Sequence, residues 1–154
     1  MIKFAFVILG LAVSLQSTAA EAKGRYKPFN ILFGGTYRDQ ALNSDTWRVT
    51  GLAESDEGPN LAGQTAAYRG AELAKAAGFS FFQIVSREST VTMRKYRYQR
   101  EFQPLRYATE MKIHGAYGTE GQMPCEIKGA MYCPFYEVDF VLRNLAPTVL
   151  GESE

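Results

Sequence analysis

The sequence has little of what most enzyme signatures require. Its 154 residues include two cysteines and a single histidine, His114. A metal site built on cysteine or histidine needs more such ligands than this. The sequence also lacks a glycine-rich phosphate loop and a Gly-x-Ser-x-Gly nucleophile motif. We therefore predict no metal, no cofactor and a non-enzymatic protein.

The sequence also lacks an excess of charge of either sign. Seventeen Lys and Arg residues nearly balance sixteen Asp and Glu residues, which gives a net charge of +1. Such a balance produces no global field that would attract nucleic acid, so we predict no nucleic-acid partner. A hydrophobic content of 46% is ordinary for one compact domain and argues against intrinsic disorder.

Only one long apolar run occurs, and it lies at the start of the chain. Lys3 precedes an apolar stretch over 4–15, and small residues follow up to Ala22. This layout is typical of a secretory signal peptide, and the run is too short to span a bilayer. We predict a signal peptide over 1–22, a single domain over 23–150 without a transmembrane segment, and a location in the periplasm or cell envelope. Because no cysteine lies directly after the predicted cleavage site, we do not expect an N-terminal lipid anchor.

The rest of the pattern predicts an α+β fold, with one main helix on a mostly antiparallel sheet of four to five strands. Small residues recur at helical spacing over 61–77, so the helix can approach a flat partner closely, and we expect that partner to be a sheet. Asn60 is the expected N-cap and Gly78 the expected C-terminal stop. Since strands are expected on both sides of the helix, the arrangement suggests a βαβ unit or a split version of it.

The expected strands have clear apolar or alternating patterns. They cover 46–50, ending at Gly51, then 79–86, 91–103 and 106–117. The segment 131–142 carries both a strand and a helix periodicity, and we favour the strand, with Pro147 ending the element.

Several of these segments resemble a known family. The matching segments are Trp47-Arg48-Val49, Tyr68-Arg69-Gly70-Ala71-Glu72-Leu73, the run 78–85 and the opening Gly34-Gly35-Thr36-Tyr37. They are similar to small Gram-negative envelope proteins, many of them described as lipoproteins of unknown function. The resemblance implies a helix packed on a sheet and implies no activity. The chain differs from the family pattern at Gly70, after Gly51, and in having no lipidation cysteine.

Cys125 and Cys133 are separated by seven residues. Two thiols in an exported protein usually pair, because the compartments outside the cytoplasm are oxidising. Gly129, between them, helps the chain to turn. We predict a local disulfide bond.

A basic segment interleaved with aromatic residues is the main candidate binding site. It consists of Arg94, Lys95, Tyr96, Arg97, Tyr98 and Arg100. Outside the cytoplasm, such a segment could bind an anionic lipid or glycan, or an envelope protein. Along a strand, however, alternate residues face opposite sides, so the charges do not converge on one surface. The competing interpretation is an edge strand protected by charge.

Two further interpretations stay open. A small secreted hydrolase could use carboxylates or His114, which would require an acid near that histidine in a cleft. A structural subunit of an envelope assembly would instead need a large exposed apolar or tyrosine-rich patch. The acids Glu54, Asp56 and Glu57 lack the regular spacing of a calcium loop, so we interpret them as solvated charge.

Overall fold

A computed structural model describes residues 26–30, 35–95, 101–120 and 122–151, and the predicted signal peptide lies outside these ranges. The predicted α+β fold is confirmed. The elements follow in the order β1 (Tyr37–Ala41), β2 (Thr46–Glu54), α1 (Pro59–Ala76), β3 (Phe81–Arg94), β4 (Gln103–Ala116), β5 (Phe135–Glu137) and α2 (Val138–Leu150).

The five strands form one sheet in the order β1-β2-β4-β3-β5. All neighbouring pairs are antiparallel. Because β2 and β3 are each antiparallel to β4, they run parallel to one another with β4 between them. Helix α1 connects these two strands, so the unit is the split βαβ arrangement.

Helix α1 packs closely on the sheet, as its small residues predicted. A Cβ built on Gly70 would lie 2.9 Å from Ile113 Cγ1, and one built on Gly51 would lie 2.0 Å from the Ala62 carbonyl oxygen. The absence of side chains at these two glycines therefore lets the backbones approach. The core lies between the sheet and both helices and contains Trp47, Val49, Ala66, Ala71, Ala74, Phe82, Met111, Ile113, Val138 and Val141.

Two boundaries around α1 differ from prediction. Strand β2 does not end at Gly51 but continues to Glu54, because the glycine serves close packing rather than a turn. The N-cap is Gly58, with φ at 81°, and Pro59 and Asn60 begin the helix. Proline is favoured at the first helical position, where its fixed φ fits and its missing N–H costs nothing. The predicted stop is confirmed, since Gly78 follows the helix with φ at 87°.

The strand predicted over 79–86 and the first residues of the strand predicted over 91–103 form one long strand, β3, which ends at Arg94. Of the rest of the second segment, 96–100 lie outside the described residues and Gln103 belongs to β4. Strand β3 pairs with β4 along its length, with register shifts between Ile84 and Ser86 and between Thr92 and Met93. The shift at Ile84 places two β3 residues opposite one β4 step, which is a β-bulge. Strands β3 and β4 therefore form one long hairpin.

The strand predicted over 131–142 is wrong for most of its length. Only Phe135–Glu137 pairs with β3, and helix α2 starts at Val138. Pro147 lies inside α2 rather than ending the element, and Val138, Val141 and Val149 are buried. The helical stripe prevails because it places these valines against α1 and the sheet.

The predicted disulfide between Cys125 and Cys133 is confirmed, with the Cα atoms 5.2 Å apart. The intervening chain turns at Gly129, where φ is 83°. The fully buried Gln83 side chain holds this loop: its amide nitrogen donates to the Cys133 carbonyl at 2.8 Å. Its amide oxygen accepts from the Met123 N–H at 3.0 Å. The loop is thus fixed to β3 by hydrogen bonds as well as closed by the disulfide.

Candidate functional site

The basic segment begins at the far end of the β3–β4 hairpin. Arg94 is the last residue of β3, and Lys95 follows it; both are exposed. The Lys95 Nζ atom lies 5.7 Å from the centroid of the Phe102 ring, within cation–π range. Tyr96, Arg97, Tyr98 and Arg100 lie outside the described residues.

The hairpin continues past the end of its neighbour. Strand β2 pairs with β4 only as far as the Glu54–Arg106 step, whereas β3 and β4 stay paired to Arg94 and Gln103. We call residues 91–95 and 101–105 the hairpin end. Four of its apolar side chains are exposed: Val91 by 47%, Met93 by 45%, Phe102 by 60% and Leu105 by 36%. Exposed apolar groups next to cations make this end amphipathic.

A second candidate site is an apolar groove of about 380 Å³ between the two helices and the sheet. This is within the range of roughly 300–1,000 Å³ typical of small-molecule sites. Its apolar lining includes Ala67 of α1, Phe82, Ile84 and Met111 of the sheet, and Phe140 and Leu145 of α2. The polar lining consists of Asn60, Gln64, Arg87, Tyr136 and Asn144, and no acidic residue of the described part of the chain contributes.

Among the residues that the structure describes, Arg87 is the one charged residue that lines the groove. Ile84 is paired with Ile113 and Arg87 with Met111, so both face the helices. With strict alternation Arg87 would face the opposite side from Ile84; the bulge between them reverses its direction. Sequence reasoning missed Arg87 for this reason, since nothing in the residue pattern signals the bulge.

The side chain of Arg87 reaches helix α1 at a glycine. A Cβ built on Gly63 would lie 3.0 Å from Arg87 Nη2, so the guanidinium rests against the helix backbone. Within the described ranges no carboxylate pairs with Arg87. The groove therefore has an apolar floor and one cation that no acid among the described residues neutralises.

The single histidine, His114, lies near the end of β4, opposite Thr46 at the start of β2. His114 Nδ1 is 3.2 Å from Thr46 Oγ1 and 3.6 Å from Asp45 Oδ1, and the Thr46 hydroxyl also donates to Asp45 at 2.8 Å. A catalytic triad uses the two ring nitrogens for different partners, the acid on one and the nucleophile on the other. Here the acid and the hydroxyl approach the same nitrogen, and Thr46 is buried. Asp45 and His114 do share a polar cleft of about 740 Å³, which is the feature that the hydrolase interpretation required.

The acidic residues after β2 do not converge on a metal site. Glu54 pairs with Arg106 at 2.6 Å, and a Glu57 side-chain oxygen accepts from the Glu54 N–H. Within the described ranges no group of three or more potential metal ligands occurs.

A charged cluster holds the described N-terminal residues against α1 and β1. The Tyr26 hydroxyl donates to Glu72 at 2.6 Å, and burial, then this bond, raises the pKa of Tyr26 well above its usual range. Arg69 binds both Asp39 and Glu72 at 3.0 Å, and Glu72 lies three residues after it on the same helix. Burial opposes the charge on Arg69, but its hydrogen bonds raise its pKa above the usual value. In this cluster one guanidinium is shared by two carboxylates, and the contacts join Tyr26, β1 and α1, so its role is structural.

Comparison with known proteins returns no match: no family model, no curated protein and no solved structure is similar to this chain. Within the described ranges neither helix has the length and apolar character needed to cross a membrane.

Proposed function

We propose that this protein is an exported, non-enzymatic binding protein that attaches to anionic lipid surfaces of the cell envelope through its hairpin end. The observation that carries the proposal is the set of exposed apolar side chains, among them Met93 and Phe102, beside the basic segment. Apolar groups insert at the headgroup boundary while cations attract anionic lipid. Each Lys or Arg near such a surface contributes about 1 kcal/mol.

Export is supported by two features of the chain. Residues 1–22 have the layout of a signal peptide. The Cys125–Cys133 bond is of a kind that persists in oxidising compartments. Both agree with a site of action in the periplasm or envelope.

Vesicle flotation tests the proposal. The full mature chain should float with phosphatidylglycerol vesicles, stay unbound with phosphatidylcholine vesicles, and release as salt rises. The four-residue change R94A/K95A/R97A/R100A should abolish binding. The smaller change Arg94→Ala with Lys95→Ala should weaken it, whereas Lys128→Ala with Arg143→Ala, which removes two exposed cations elsewhere, should not.

The contribution of the apolar side chains to vesicle binding is tested by a second double variant and its matched control. Met93→Ser with Phe102→Ser should weaken vesicle binding. Met131→Ser with Tyr132→Ser removes side chains that are 98% and 68% exposed on the disulfide loop and should leave it unchanged. If the Arg94/Lys95 variant and the Met93/Phe102 variant both float like the wild type, the hairpin end is not the attachment site and the proposal fails.

A protein partner docking on the hairpin end is the nearest alternative. It predicts capture that survives high salt and no preference for anionic vesicles. The hydrolase alternative rests on the Asp45–His114 approach. It predicts that His114→Ala abolishes a hydrolytic activity of the mature protein, while the proposed function expects vesicle binding by that variant to be unchanged.

A further inference from the structure

The groove beneath the two helices combines features that a lipid-like ligand requires. Phe82, Ile84 and Met111 form its floor, and Phe140 and Leu145 of α2 form one side. Phe140 is 56% exposed and lines the groove from α2. A ligand in the groove would remove part of this apolar ring from water.

The shape of the groove is elongated. Phe82 pairs with Gly115 and Arg87 with Met111, so they are four β4 steps apart, which is roughly 13 Å along the sheet. At the Phe82 end, its ring stacks with that of Tyr136, with centroids 5.6 Å apart. The groove thus has a cation near one end and an aromatic pair near the other.

The charge of the groove selects the sign of its ligand. Within the described ranges, Arg87 is the only charged residue that lines it, and no carboxylate pairs with Arg87. The amides of Asn60 and Gln64 lie at the same side, on the first turns of α1. A guanidinium with adjacent amides is a donor set suited to a carboxylate or phosphate oxygen.

From these observations we infer that the groove binds a single-chain aliphatic amphiphile, with its anionic head at Arg87 and its chain along the sheet toward Phe82. None of the residues of the hairpin end lines the groove, so this site is separate from the membrane contact. The inference does not depend on the proposed function.

Calorimetry with dodecanoate below its micelle concentration tests the site. The wild-type mature protein should bind dodecanoate more tightly than dodecanol, and dodecyltrimethylammonium least. Arg87→Gln should weaken dodecanoate binding about ten-fold while dodecanol binding stays unchanged, because the substitution removes the charge. Arg87→Lys should retain most of the affinity. Dodecyl phosphate in place of dodecanoate should behave alike, since Arg87 recognises the anionic oxygens of both.

A second pair of variants tests the apolar part. Ala67→Leu places a larger side chain in the groove on a helix that tolerates leucine, so both dodecanoate and dodecanol should lose binding at least ten-fold. Ala76→Leu adds the same side chain at the exposed end of the same helix and should change neither. Circular dichroism should confirm that both variants fold.

Methyl NMR locates the ligand independently of affinity. Dodecanoate should shift the methyl signals of Ile84 and Met111 in the groove, and leave those of Ile127 and Met131 on the disulfide loop in place. Shifts confined to Val91 and Met93 would place the ligand on the hairpin end instead and overturn the groove site. An absence of any shift, or equal binding of all three head groups, would also overturn it.

Discussion

Gly51 of β2 lies directly beneath Ala62 of α1, so close that a Cβ on the glycine would be 2.0 Å from the Ala62 carbonyl oxygen. Both partners at this contact are backbone, which cannot move aside as a flexible side chain can. We expect Gly51→Ala to lower the free energy of unfolding by about 3 kcal/mol through overpacking. Denaturant unfolding measures this loss. Gly118→Ala, where nothing lies within 4 Å, is the control, and similar losses for both variants would contradict the account.

The buried amide of Gln83 links β3 to the disulfide loop. Gln83→Met keeps the side chain's approximate size but leaves the Met123 N–H without this acceptor. An unsatisfied buried polar group costs about 1–3 kcal/mol, so the unfolding midpoint should fall accordingly. Gln40→Met, on the exposed face of β1, should stay near the wild-type value. A neutral effect of Gln83→Met would mean that the loop is held by other contacts.

The disulfide closes a short loop. Because the constraint on the unfolded chain grows with loop length, we expect reduction to cost only about 2–3 kcal/mol. Chemical unfolding with and without a phosphine reductant measures the difference. In the double variant Cys125→Ala with Cys133→Ala the reductant should have no effect. Complete unfolding on reduction would show that the disulfide contributes far more to stability than the closure of a short loop accounts for.

The Lys75–Asp139 ion pair joins the two helices on the surface. The Lys75 Nζ atom donates to Asp139 Oδ1 at 2.8 Å, and this bond lowers the pKa of the Asp139 carboxyl below its ordinary value of 3.8. Because folding lowers this pKa, the ion pair stabilises the fold at pH values above the pKa of the unfolded state. That stabilisation is lost as the pH falls through the pKa of the folded state.

Carboxyl NMR titration checks this pair. Lys75→Met should return the Asp139 pKa toward its ordinary value, and Lys128→Met should leave it unchanged. Since both groups are exposed, the effect on stability should be small. An Asp139 pKa that does not respond to Lys75→Met would contradict the assigned cause.

Helix α1 and the disulfide could be predicted from sequence because each depends on local information. The small residues from Gly63 to Ala74 recur with helical period, and Gly78 provides a stop that only a residue tolerant of positive φ accepts. The pairing of Cys125 with Cys133 was predicted from the expected oxidising compartment and from their short separation in the sequence. Neither prediction depends on how the rest of the chain packs.

The groove could not be predicted, because it depends on tertiary register. A bulge between Ile84 and Ser86 turns Arg87, which stays exposed, toward helix α1. The segment after Glu137 forms helix α2 because this places Val138 and Val141 in the core. The sequence at 131–142 fits a strand and a helix equally, and long-range packing decides between them. The basic segment was visible in sequence, but its exposed apolar neighbours Val91 and Met93 were not distinguishable from core residues.

The central claim is that the hairpin end enters an anionic lipid surface, and a single substitution makes this directly measurable. Trp47 is the one tryptophan of the chain and is buried, 7% exposed, so it should not report membrane contact. Phe102→Trp adds a second indole at the hairpin end. With phosphatidylglycerol vesicles, the emission of this variant should shift to shorter wavelength and be quenched by brominated acyl chains, while the wild-type emission stays constant. Emission from the variant that neither shifts nor quenches, at lipid concentrations where the protein floats, would contradict insertion of the hairpin end.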